Sequence, residues 1–458
     1  MNHEPFTALA EGLAGEVVLP GDASYEELRH VFSRRGEPTA VVRCHGTDDV
    51  RRAILFARER DLEVSVRSGA HSLAGFGTSR GGLVIDLSPM NAVELLDAER
   101  HRVRVAPGAV WSEVAAFLAG HGLAFSSGDT ASVGVGGLLL GGGIGWTARA
   151  DGLAVDNMTA AELVTADGRV LRASAEENQE LFWALRGGGG NFGIVTSFEI
   201  TARPLARVQY GKVVYPGAEA AQVLKGWARH MRVAPDALMS HVTLFPTRGD
   251  TPAPITVIFC YAGEDGDEAI APLLALGTVE SKTVDLVPVP QVLAPSGGLP
   301  PGWEPTVRSR FVPECGDALV DAALEGARAL RTLFLEFRSL GGAVNRVPED
   351  ATAFAHRNSE VLMNTINMGT REENLAAAPA LAAFWESLAP YVRGAYSNFL
   401  SEADEEDMAA AYPPATYARL RAVKRAYDPE NVFSRNPNVK PAPAARAWPG
   451  EGPVGEGV

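Results

Sequence analysis

Three glycine-rich stretches, Arg67 to Gly77, Gly128 to Gly145 and Gly187 to Gly193, constrain this chain of 458 residues more than anything else in it. The middle one holds the most apolar run, Val133 to Trp146, and seven glycines break that run. Such a segment cannot serve as a membrane helix. Glycine offers something else: backbone amides bare enough to approach an anion, and access to positive φ. Several such stretches in one chain suggest a ligand with a pyrophosphate and a long body.

The segments between them alternate. Residues 39–43 (TAVVR) read as a buried strand, and Thr47 can cap a helix whose first turn carries Asp48 and Asp49, suited to the positive end of the dipole. Val50, Ala53, Ile54 and Ala57 give that helix one apolar face. Strands follow at 63–67, 83–87 and 101–105, then a helix near 110–118. Residues 159–173 read as a hairpin turning at Asp167-Gly168, and 178–186 as a helix running into four glycines before the strand GIVTSFEI. The chain therefore opens with a β-α-β unit.

From about 205 to 390 the pattern changes. Strands at 213–215, 255–261 and 333–342 alternate with Ala/Leu-rich helices near 268–276, 318–331 and 372–388, which reads as an antiparallel sheet covered by helices. An amphipathic helix at 413–427 is stopped by Asp428-Pro429. From residue 441 the chain is rich in Pro, Ala and Gly and is expected to be disordered.

Composition narrows the partners. With 41 Lys and Arg against 56 Asp and Glu the net charge is -15, which disfavours nucleic acid. The N-terminus shows neither a basic segment nor a long apolar run, so neither a signal peptide nor a membrane anchor is expected. Cys44, Cys260 and Cys315 have no CxxC spacing, which argues against a disulfide scaffold or a cysteine metal site, and no metal is expected. A cytoplasmic location is expected, and an oligomer is possible.

Gly188, Gly190 and Gly193 satisfy G-x-G-x-x-G. A helix precedes this motif and a strand follows. A nicotinamide dinucleotide site needs strand, turn, then helix, so that the pyrophosphate meets a helix N-terminus. The order is reversed here, and that reading is set aside.

VRSGAHSLAGFG (66–77) resembles the flavin-attachment loop of FAD-linked oxidases related to berberine bridge enzyme, within the vanillyl-alcohol oxidase superfamily. Arg67, Gly69 and His71 match that loop, and Ala70 replaces a common glycine. SVGVGGLLLGGGIGW (132–146), DGLAVDNM (151–158), ELFWALRGGGGNFGIVTSFE (180–199) and YARLRAVKRAYDPENVFSRNPNVKP (417–441) resemble later segments of the family, in the right order. The spacing is most similar to the bacterial branch that includes 6-hydroxy-D-nicotine oxidase.

The resemblance implies an α+β fold of two lobes. Residues 1–204, with a core from about 35, would bind FAD; residues 205–395 would form the substrate lobe on a large antiparallel sheet; residues 396–440 would return to the FAD lobe. It implies FAD bonded covalently through His71. The position of the family's second, cysteinyl link is Thr130 here, so no such link is expected. Flavin contacts are implied from Arg67, Ser68, Gly69, Ala70, His71 and Ser72 in the first loop. The second loop would supply Gly128, Thr130, Val133, Gly134, Gly136, Gly137, Gly141 and Gly142. Asp156, Gly193 and Val195 would follow, and Asn436 and Asn438 near the end, although Pro437 replaces the family's common glutamine. Asp428 and Asn431 are expected to hold this last segment in place.

The family chemistry is hydride transfer from a substrate C–H to flavin, with molecular oxygen as the usual acceptor. Val133 stands where the family's valine leaves room for oxygen. Tyr396 and Asn398 match a Y-x-N element that can supply a tyrosine base, which requires a depressed phenol pKa. Glu336 and Arg338, two apart on a strand, share a face and could grip a polar substrate or pair with each other. His241 and Tyr215 are weaker candidates, and His356 and Arg357 read as structural. A small alcohol, sugar, phenolic or cyclic amine would be the substrate. A dehydrogenase with another acceptor, and a flavin-binding protein without turnover, remain open.

Overall fold

The computed structural model describes residues 4–443 apart from 33, 248–251, 296, 298, 301, 329 and 331. Beyond residue 443 the stretch expected to be disordered lies outside the described residues.

The first sheet is built from β1 (Glu16–Val18), β2 (Ala40–Arg43), β3 (Val64–Arg67) and β4 (Leu83–Asp86), in the order β1-β2-β4-β3. Strands β2 and β3 both run parallel to β4, joined by helix α1 (Thr47–Glu59). Strands β2 and β4 are buried along nearly their whole length, so their sequences are continuous apolar runs rather than alternating ones. Thr47 is not the cap expected of it. Gly46 holds the cap position, and Thr47 begins the helix with its hydroxyl on Glu162. Asp49 in that first turn accepts instead from the amides of His45, Ala14 and Gly15, which pins the N-terminal segment.

The second sheet is antiparallel. Its strands are β5 (Val93–Asp97), β6 (Arg102–Val105), β7 (Met158–Val164), β8 (Val170–Ser174) and β9 (Ile194–Thr201), in the order β8-β7-β9-β6-β5. The β7–β8 hairpin turns at Asp167-Gly168, where Gly168 takes φ +81°. Helices α2 (Trp111–Ala119), α3 (Val135–Gly141) and α4 (Gln179–Leu185) fill the intervals. The middle glycine stretch thus yields one short helix, α3.

The third sheet has seven antiparallel strands: β10 (Arg207–Tyr215), β11 (Leu238–Leu244), β12 (Ile255–Tyr261), β13 (Ser281–Pro288), β14 (Trp303–Val312), β15 (Leu333–Ser339) and β16 (Val361–Thr370). Their order is β13-β10-β12-β11-β15-β16-β14. Its strands have two faces because successive side chains alternate. Leu333, Leu335 and Phe337 of β15 and Val361 and Met363 of β16 pack with helices α5 (Ala220–Val233), α6 (Asp317–Ala327) and α7 (Arg371–Leu388). Residues of the alternate positions, Glu336, Arg338, Asn364 and Ile366, line a cavity on the other side. Tyr215 belongs to the helix side, where its hydroxyl donates to the Leu273 carbonyl, so it is a core residue and not a site candidate. The helix expected near 268–276 is only Asp267–Ile270 followed by a 3-10 turn, since Pro272 supplies no amide.

Helix α8 (Pro414–Tyr427) packs against α4. Among the described residues no helix is long and apolar enough to cross a membrane.

Candidate active site

A cavity of about 610 Å³ lies between the glycine loops and the open face of the seven-stranded sheet. Both sides of its wall follow from local sequence. On the loop side, the chain leaving β3 passes so close to the second loop that a Cβ on Gly69 would stand 2.2 Å from the Gly134 nitrogen. Only glycine allows two backbones to meet like this. Gly137 and Gly190 line the cavity with nothing within 4 Å of where a Cβ would be, so their backbones face open space.

Most residues expected at the flavin gather here: Arg67, Ser68, Gly69, Ala70, His71, Ser72, Gly128, Thr130, Val133, Gly134, Gly136, Gly137, Gly193, Val195 and Asn436 all line the cavity. Their polar groups largely hold the loops in shape. The Arg67 guanidinium donates to the carbonyls of Leu28 and His30. The Ser68 hydroxyl donates to Pro107 O, and the Ser72 hydroxyl accepts from Phe76 N. His71 Nε2 lies 2.6 Å from the Ser132 hydroxyl, and its ring leans on Phe32. Burial lowers the His71 pKa, which favours a neutral imidazole. Asn436 donates to Gly190 O and Phe433 O, while its own Oδ1 is buried without a partner among the described residues.

Four expected contacts do not line the cavity. Asp156 is turned away into a two-pronged ion pair with Arg357 at 2.7 and 2.8 Å, and Arg357 is 1% exposed. A side chain on Gly141 would strike Asn398, and Gly142, at φ +140°, lies against Phe354 and Tyr396. These two glycines let Tyr396 and Asn398 approach the loop. Asn438 sits outside the cavity, next to the Val439 amide that binds Asn191.

On the sheet side stand Glu336, Tyr396 and Asn398. The Tyr396 hydroxyl accepts from the Gly143 amide at 2.8 Å and from Asn398 Nδ2 at 3.0 Å. Burial pushes its pKa up to about 12 in spite of those donors. The depressed phenol that a base would need is therefore not found. Glu336 and Arg338 pair at 2.7 Å, and Arg338 reaches Asp129 at 2.7 Å on its other side. Asn364 Nδ2 donates to the same Glu336 oxygen at 2.8 Å. Asp129 and Asn364 were not apparent from the sequence: Asp129 hides in a glycine loop and Asn364 in a strand carrying no recognisable motif. His241 pairs in register with Arg338 from the neighbouring strand but stacks on Trp146, 4.2 Å between ring centroids, and stays behind the cavity wall.

Residues present fit FAD. Paired glycine backbones, two glycines open to the cavity, an imidazole and an orphan acceptor at Asn436 share one wall, and the opposite wall sets Glu336, Arg338 and Asn364 among apolar residues. Comparisons agree with this. A family model described as FAD binding domain matches residues 38–174, and one described as berberine and berberine-like matches 395–440. (R)-6-hydroxynicotine oxidase of Paenarthrobacter nicotinovorans is 30% identical over 94% of this chain and 97% of its own length. Xylooligosaccharide oxidase of Thermothelomyces thermophilus is 31% identical over 88% of each chain. The solved structure of 6-hydroxy-D-nicotine oxidase from Arthrobacter nicotinovorans superposes with a TM-score of 0.85 at 29% identity, covering 94% of this chain and 98% of that one. With cavity, loops and whole-length similarity in agreement, the chain belongs to the berberine bridge enzyme-like family of FAD-linked oxidoreductases.

Proposed function

We propose that this protein is an FAD-dependent oxidase that holds its flavin covalently through His71 and oxidises a small organic substrate, with molecular oxygen as acceptor. One observation carries the reading: His71 on the loop wall and Glu336, Tyr396 and Asn398 on the sheet wall line the same cavity. FAD, when bound, supplies the hydride acceptor and hands the electrons on to oxygen. The chain's residues do the rest. A neutral His71 has a ring nitrogen free to form the bond, and Thr130 leaves no second attachment point. Tyr396 keeps its proton and acts as a hydrogen-bond donor toward the substrate, positioned by Gly143 and Asn398. Glu336 is the acceptor for a substrate proton. Val133 lines the cavity beside Gly134, where a leucine would be one methylene larger.

In this reading, residues 1–204 and 396–440 bind the flavin and 205–395 the substrate. The three buried, unpaired cysteines suit a reducing compartment such as the cytoplasm.

The test is an anaerobic screen of alcohols, sugars, phenols and amines against the purified yellow protein. Expected is bleaching of the flavin band by at least one class, then recovery on admitting air with release of hydrogen peroxide. No bleaching by any class would overturn the oxidase reading. Recovery only with an added dye would make the protein a dehydrogenase. A colourless pellet after acid precipitation would remove the covalent bond alone.

A further inference from the structure

The charges on the sheet wall do not balance. Glu336, Asp129 and Arg338 form one connected cluster, two carboxylates around one guanidinium. Burial alone would raise both carboxyl groups, but Arg338, together with His241 and the hydrogen bonds from Thr130 and Asn364, outweighs it and holds each below the ordinary range, so both are charged. His241 behind them is neutral, since burial lowers it to about 4. The cluster carries a net charge of one negative unit.

Among the described residues of the cavity no cation is left to cancel it. Arg338 is spent on the two carboxylates and on the Phe399 ring, 5.1 Å from its guanidinium carbon. Arg67 and Arg435, on the loop side, have their own countercharges in Asp86 and Glu63, at 3.6 and 3.5 Å. The Arg338 and Glu336 side chains are only 10% and 13% exposed, and Val307, Ile366, Met368 and Leu400 line the same cavity, so water screens the charge poorly.

The unspent hydrogen-bonding atoms are acceptors. Arg338 and Asn364 both donate to Glu336 Oε2, which leaves Oε1 to the cavity. The Asn364 amide group is fixed by that bond, so its free end is Oδ1. Asn364 is 1% exposed, and Oδ1 has no partner among the described residues. A lone buried acceptor beside an uncompensated carboxylate calls for a ligand with positive charge and two donors.

We infer that the substrate enters as a protonated primary or secondary amine whose nitrogen donates to Glu336 Oε1 and Asn364 Oδ1. This rests on the cavity being the substrate site. A sugar or alcohol could meet the two acceptors but would leave the charge buried.

The test is anaerobic titration of the yellow holoprotein, reading the flavin spectrum for binding, with benzylamine, benzyl alcohol and benzyltrimethylammonium. Benzylamine is expected to bind about tenfold or more tightly than benzyl alcohol, which lacks charge, and than the quaternary ion, which lacks donors. Glu336→Gln is expected to bring benzylamine and benzyl alcohol within about threefold of each other. If that variant fails to retain flavin, Asp129→Asn, which also neutralises the cluster, makes the same measurement. Equal binding of amine and alcohol by the unaltered protein, or a full amine preference surviving neutralisation, would overturn the inference. Binding shifts the spectrum without bleaching it, so a preference seen without bleaching would support the amine and count only against the oxidase reading.

Discussion

The Tyr396 hydroxyl accepts two hydrogen bonds, from the Gly143 amide and the Asn398 side chain, and keeps its own proton. The sequence brings out the Tyr396-x-Asn398 element but not the state of the phenol, because that depends on burial against Phe354 and Phe399 and against the Gly142-Gly143 backbone, more than 200 positions away. Replacing Tyr396 with Phe strands the buried Gly143 amide and is expected to destabilise the fold by about 1–3 kcal/mol, seen as a lower urea midpoint. An unchanged midpoint would mean the amide finds another partner. Ala70 is the reverse case. It replaces a glycine common in the family, and its φ of +57° lies in the left-handed region, which strains an alanine. Ala70→Gly relieves that strain while loosening the unfolded chain. A net gain of about 0.5–1 kcal/mol is expected, and a lowered midpoint would contradict it.

Elements were legible where a single period dominates. Strands β2, β3, β4 and β12 and helices α4 and α8 fall where the sequence puts them. Strands β11, β13, β14 and β16 were not apparent. Strand β16 has Asn364 and Asn367 among its apolar residues, and β14 contains Pro305, which it tolerates at the edge of the sheet. Helix α8 was foreseen as amphipathic and stopped at Asp428, yet its Lys424 is fully buried. The Lys424 ammonium donates to Asn191 O, Phe433 O and Asp428, and Asp428 also accepts from the Val432 and Phe433 amides. This knot ties the C-terminal segment to the third glycine loop, as expected of Asp428. Lys424→Met leaves Asp428 buried without its countercharge, so a loss of about 3–5 kcal/mol is expected in urea denaturation. A loss below about 1 kcal/mol would show that Asp428 is held by its amides alone.

Across the whole molecule, His241 and His356 lie buried at the sheet's site face and at its margin, each lowered by burial to about 4. In the unfolded chain both titrate near pH 6.5, so between about 6.5 and 4 the unfolded form binds more protons. The stability these groups contribute is therefore complete above about pH 6.5 and is lost as pH falls toward 4. A tenfold difference in proton affinity between the folded and unfolded chain corresponds to about 1.4 kcal/mol, so several kcal/mol are at stake. The urea midpoint is expected to fall from about pH 7 to pH 5. His241→Phe, which preserves the stack on Trp146, should flatten that fall; an equally steep one would locate the effect elsewhere. By itself the sequence determined the glycine loops, the His71 position and the family, because these depend on residue type and on neighbours a few positions away. Only the tertiary structure decided that Asp156 serves Arg357 and not the cavity, that Tyr396 stays protonated, and that Asp129, Arg338, Glu336 and Asn364 form one charged wall. Those outcomes depend on which distant groups share a buried space, and desolvation and pairing act through space, not along the chain.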